Sequence, residues 1–145
     1  MEKEKIALVS CVSKKLDHSA VAGDMYLSVW FKYAREYAER NFNEWFILSA
    51  KHGLLRTDQV ISPYNVFIGD LSANERRQWA INTARSVSDI VTSDIEISIF
   101  AGEKYRQYLV PALIFSDFSV TVPLEGLGIG QQLKWFKEKK DEQNY

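Results

Sequence analysis

The chain has 145 residues, 46% apolar and 26% charged, with a formal net charge of −1 from 18 basic and 19 acidic side chains. That length suits one domain with its own core, and the near-zero charge excludes a bulk polycation, so nucleic acid could be held only by a local basic patch. One cysteine and two histidines exclude a disulfide framework and a cysteine-rich zinc cluster, and neither a metal nor a cofactor is expected. No apolar run reaches the roughly 18–20 residues of a membrane span, so no membrane partner is expected. The start, MEKEKIALVSCV, mixes acidic and basic residues before a short apolar run, unlike a signal peptide, and a cytoplasmic location is the expectation.

Residues 5–12, KIALVSCV, read as a strand buried on both faces. A polar loop, SKKLDHSAVAGD, leads into an amphipathic helix over 25–40, whose apolar stripe runs through Trp30, Tyr33, Ala34, Tyr37 and Ala38. Residues 44–50, EWFILSA, give a second buried strand, followed by a long loop over 51–71 with few regular signals. Ser72 and Glu75 fit a capping box that opens a helix over 72–91. Residues 95–101 form a third strand, and Gly102 leads into a helix over 103–114 that Pro111 bends or ends. Residues 118–123 are a fourth strand, LEGLGIG is a glycine-rich turn, and 129–143 is a closing helix with a solvated tail. Four alternations of strand and helix, with crossovers long enough for parallel connections, predict an α/β three-layer sandwich. Its central sheet is mostly parallel, with about four strands, in a single domain over 1–145.

Ligands of open parallel sheets bind beyond the carboxyl ends of the strands. There the sequence places Ser10, Cys11, Ser13, Lys14 and Lys15 after the first strand, and Ser49, Lys51, His52 and Gly53 after the second. Gly102 and Tyr105 follow the third, and Glu125, Gly126 and Gly128 the fourth. Glycines allow close backbone approach, helix starts offer amide donors and lysines supply charge, which suits a small polar or phosphorylated ligand. Tyr26 and Tyr64 are candidates to stack on or hydrogen-bond a base. Glu125 or His52 is the proton-transfer candidate, and Cys11 is an alternative nucleophile. Each also has a plainer reading: a solvated pair for Lys14 and Lys15, a small core residue for Cys11, a turn former for His52, a surface cap for Glu125. LEGLGIG lacks the dinucleotide spacing, and no Walker loop, HExxH or GxSxG is present.

Two family patterns lie in these segments. ILSAKHGLLRTDQVISPYNVFIGDLSANE resembles the YaaA-type peroxide-stress family through Gly53, Leu54, Leu55, Asp58, Ile61, Pro63, Tyr64 and Gly69. His52 stands where that family has tyrosine and Asn65 where it has arginine; Ser10 and Lys14 are similar to its Ser-Pro-Ala-Lys segment, with Cys11 for the proline. Cys11 and Lys15 keep the separation of the Pro-Cys-x3-Lys-Pro-Tyr segment of archaeosine synthase, with Ser10 for the first proline and Leu16-Asp17 for Pro-Tyr. Over roughly residues 6–136 the chain is most similar to small bacterial and phage proteins of unknown function. The resemblances imply a nucleobase or nucleic-acid context: DNA binding and stress response from the first, a modified base in tRNA from the second. The expected function is therefore an enzyme acting on a nucleobase, nucleotide or nucleic acid, by cleavage or exchange of a base. The alternative is a non-catalytic nucleic-acid-binding module, using Lys134, Lys137, Lys139, Lys140, Arg76, Arg77 and Arg85, or a regulatory protein that only binds its ligand.

Overall fold

The computed structural model describes residues 3–92 and 94–143; residues 1 and 2 of the charged start, and 144 and 145 of the expected tail, lie outside the described residues. The first strand, β1 (Lys5–Ser10), leads into a loop interrupted by β2 (Ala20–Val21) and one helical turn, α1 (Ala22–Met25). The helix expected from residue 25 starts later, as α2 (Val29–Asn41). Tyr26 is extended and bridges to Lys15, and the Ser28 hydroxyl accepts the Phe31 N–H, so the helix is capped at Ser28. The apolar residues of 25–28 fit the helical period but pair with the loop instead.

The second buried strand is β3 (Glu44–Ser49). The loop expected after it holds regular structure: β4 (Gly53–Arg56), β5 (Val60–Ile61) and a 3₁₀ turn over Ile68–Asp70. Then come α3 (Ala73–Ile90), β6 (Glu96–Phe100), α4 (Glu103–Phe115), β7 (Ser119–Thr121) and α5 (Ile129–Gln143). Ser72 and Glu75 form the expected capping box, each bonding the other's backbone N–H. Pro111 neither ends α4 nor stops it short of Phe115. It sits on the exposed face with Gln107, whose carbonyl loses an N–H partner where water can replace it.

The main sheet has five strands in the order β4-β3-β1-β6-β7, one more than expected. β3, β1, β6 and β7 are parallel, and β4 pairs antiparallel with β3 at the edge. α2 packs with α5 and α3 with α4, giving helical layers on both faces of an α/β sandwich. Ile6, Leu8, Ile47, Leu48, Ile97, Ile99 and Phe100 fill its centre with no appreciable exposure, which explains why β1, β3 and β6 read as continuous apolar runs. No described helix is long and apolar enough to cross a membrane.

Candidate functional site

The strand order reverses between β1 and β6, so their outgoing connections pass to opposite faces of the sheet. Cys11 directly follows β1 and keeps one more ladder bond, its N–H donating to the Leu48 carbonyl at 2.8 Å. Tyr105, in the first turn of α4, reaches back from beyond β6 until its hydroxyl lies 3.0 Å from Cys11 Sγ. The topological switch point is thus closed by a thiol–phenol pair.

A second polar group joins it from β3. Ser49 Oγ lies 2.7 Å from the Tyr64 hydroxyl, which is 2.7 Å from the Tyr26 hydroxyl. The backbone N–H of His52 donates to Ser49 Oγ at 3.1 Å. Gly53, at φ +72°, closes this hairpin where other residues are strained. The turn lifts Lys51 and His52 to the surface above Tyr64: the Lys51 ammonium is 5.7 Å from the Tyr64 ring centre, and the His52 ring stands edge-on to it at 5.2 Å. Lys15 approaches the same ring at 4.6 Å and those of Phe67 and Tyr26 at 5.2 and 5.8 Å. Among the described residues, no ion pair engages Lys14, Lys15 or Lys51.

Burial sets the protonation states. It pushes the Tyr26 phenol up to about 12, and raises Tyr64 and Tyr105 further, with Cys11 adding to each shift, so all three stay protonated donors at neutral pH. Burial also lowers Lys15, which Cys11 partly opposes. His52 is lowered by burial and then by Lys51, so its imidazole is largely neutral at pH 7 and able to accept a proton. The cluster places protonated phenols below and cations with a neutral base above, a charge arrangement chemically suited to an anion.

Seven of the sequence candidates therefore meet: Cys11, Lys15, Tyr26, Ser49, Lys51, His52 and Tyr64, with Tyr105 joined through Cys11. Ser10 is buried at the end of β1, Ser13 gives only its carbonyl to Lys15, and Lys14 stays exposed with its carbonyl bonded to the Leu27 N–H. Gly102 caps α4. Glu125 does not join the cluster. It is exposed, 3.6 Å from Arg106, in a groove of about 410 Å³ with Val110, Pro111, Val120 and Val122 between α4 and β7, where Gly126 turns the chain at φ +82°. Gly128 donates its N–H to the Gln131 side chain at the start of α5.

Two participants escaped the sequence reading. Trp79 of α3 donates its indole N–H to the Ser49 carbonyl at 2.8 Å and stacks edge-on to Tyr105 at 5.5 Å, linking both halves of the cluster. Its position on the buried stripe of an amphipathic helix reads as core, and only the contacts reveal its second use. Phe67 lies in a segment with no periodicity.

The basic residues of the binding-module alternative do not form one patch, since those on α5 and α3 lie in opposite helical layers. Lys134, Lys139 and Lys140 pair with Glu138, Glu142 and Glu36, while Arg76 and Arg77 bond the Leu71 carbonyl and Asn74 on α3, in the other helical layer.

Residues 6–138 match the model of a family of unknown function, DUF6884. The chain is 33% identical over 150 residues to the uncharacterized protein YfjM of Bacillus subtilis (strain 168), covering 97% of this chain and 98% of that one. No solved structure matches.

Proposed function

We propose that this chain, which belongs to the DUF6884 family of unknown function, is an enzyme acting on a nucleobase, nucleotide or nucleic acid at the carboxyl edge of its sheet. One observation carries the reading: two lysines that make no ion pair among the described residues, Lys15 and Lys51, converge on Tyr64 above a buried set of protonated hydroxyls and one thiol. Cations without a carboxylate partner favour phosphate, and the tyrosine and phenylalanine rings offer faces to a base. The likeness to YaaA-type proteins and to archaeosine synthase supports the same substrate class, because Cys11 and Lys15 of the second pattern and Tyr64 of the first all belong to the cluster.

In this reading Lys15 and Lys51, helped by Lys14, hold phosphate, and Tyr26 or Tyr64 addresses the base. His52 takes the proton-transfer role in preference to Glu125, which is paired with Arg106. Cys11, held by Tyr105, is the nucleophile candidate for cleavage or exchange of a base. Incubating the protein with nucleotides and with short single- and double-stranded DNA and RNA, and separating released bases chromatographically, tests this. Cys11→Ser should abolish release with the fold intact; a retained rate removes Cys11 from the chemistry.

A second reading, ligand binding without turnover, draws on one feature. Tyr26, Tyr64 and Cys11 are only 5%, 8% and 9% exposed, so a ligand would rest on the cluster and not enter it. Tight binding with no product over many hours would decide for it.

A further inference from the structure

The surface between α3 and α4 carries a knob and a hollow side by side. Phe115, in the last turn of α4, is 92% exposed, the highest value of any large apolar side chain among the described residues. It does not sit on a frayed end. The Phe118 N–H donates to the Leu113 carbonyl at 3.1 Å and the Asp117 N–H to the Ile114 carbonyl at 2.9 Å, a Schellman ending that fixes the last turn, and Phe118 itself is buried. Beside Phe115, between the two helices, opens a groove of about 450 Å³. Ala84, Ser88, Ala112 and Ser116 are too short to fill it, and Ile81, 48% exposed, lines it from α3. An exposed aromatic next to an unfilled apolar hollow is surface that association would take out of water.

Charges flank the hollow as well. Arg85 lines it from α3, and Asp117 follows Phe115 by two residues; neither makes an ion pair among the described residues. Asp117 is disfavoured where it stands on two counts. Its φ of +69° suits glycine better, and its negative charge lies at the negative end of the α4 dipole. A cation brought against it would offset the second.

We infer that this face binds a second copy of the chain about a two-fold axis, with Phe115 of each copy seated in the α3–α4 groove of the other and Asp117 of each meeting Arg85 of the other. What one copy projects, the same surface of the other receives, and a two-fold contact needs that self-complementarity. A different protein would have to supply the aromatic, the hollow and both charges; a second copy carries all of them. One phenylalanine buries about 150–250 Å², so the apolar centre is modest and the dimer belongs to the small, weak class, with a dissociation constant on the order of 10 µM. Trp79 and Tyr105, which join the polar cluster, lie nearer the first turns of α3 and α4 than this contact does, so pairing leaves the carboxyl edge of the sheet open.

Sedimentation equilibrium of the full chain from about 1 to 200 µM tests it, a range that brackets the expected constant. The mean mass should climb from 16.7 kDa towards twice that value. Phe115→Ser, at a position too exposed to matter for folding, should weaken pairing about tenfold or more. Arg85→Glu and Asp117→Lys should each weaken it, and the double variant, which exchanges the charges, should recover most of the loss. Melting curves of every variant check that the monomer still folds. A single-chain mass throughout the range would overturn the inference, and so would wild-type pairing in Phe115→Ser or growth beyond two chains. A double variant no better than the single ones would overturn the Arg85–Asp117 contact.

Discussion

At the scale of single residues, the cluster shows how buried polar groups are stabilised by one another. Ser49→Ala leaves the His52 N–H and one end of the Tyr64 hydroxyl without a partner inside the protein. The expected loss is about 1–3 kcal/mol, read as a melting temperature lower by roughly 3–10 °C; a change within about 1 °C would mean the hydroxyl chain contributes little. His52 gives a second test. Its folded-state value lies below the ordinary 6.5, so the unfolded chain binds more protons around pH 6 and stability falls as pH drops through that value. Melting temperatures from pH 8 to pH 5 should fall less steeply in His52→Gln than in the wild type, and identical profiles would contradict the shift. Position at a strand's carboxyl end made Cys11, Lys15, Ser49, Lys51, His52 and Tyr105 visible in the sequence, and position before the first helix did so for Tyr26. Glu125 satisfied the same rule and lies elsewhere, because the rule fixes an edge and not a position along it.

At the scale of elements, β1, β3 and β6 were legible because burial on both faces leaves an uninterrupted apolar run. β4 was not, since Gly-Leu-Leu-Arg is short, and its pairing depends on a turn whose decisive feature is the backbone angle of Gly53. Added to this glycine, a Cβ would meet Thr83 Oγ1 at 3.3 Å in addition to the unfavourable φ of +72°. Gly53→Ala should therefore destabilise by about 1–2 kcal/mol and shift Lys51 and His52 away from Tyr64. Denaturant unfolding checks the first effect, and loss of affinity for a nucleoside 5′-monophosphate checks the second. An equally stable variant with unchanged binding would mean that the hairpin tolerates the strain and does not position the site. The helix start at Val29 was missed for a different reason: Met25–Ser28 matches the helical period, but its backbone bonds lie in the adjoining loop, where periodicity carries no information.

At the scale of the whole molecule, a sheet whose order reverses between β1 and β6 brings chain segments far apart in sequence to one edge. Three of them, after β1, after β3 and from α3 through α4, meet around Ser49 and Cys11. The net charge of −1 gives no general attraction for nucleic acid, so under the proposed function binding would have to come from this local set of lysines. The most direct test is a thermal-shift titration of wild type and Lys51→Ala with nucleoside 5′-monophosphates and short DNA and RNA. A ligand at about 100 times its dissociation constant adds about 2.7 kcal/mol, a rise of several degrees at this size. The account predicts such a rise for a phosphorylated ligand, weakening with salt and lost in Lys51→Ala. A rise that survives Lys51→Ala and ignores salt, or no rise with any member of the panel, would contradict it.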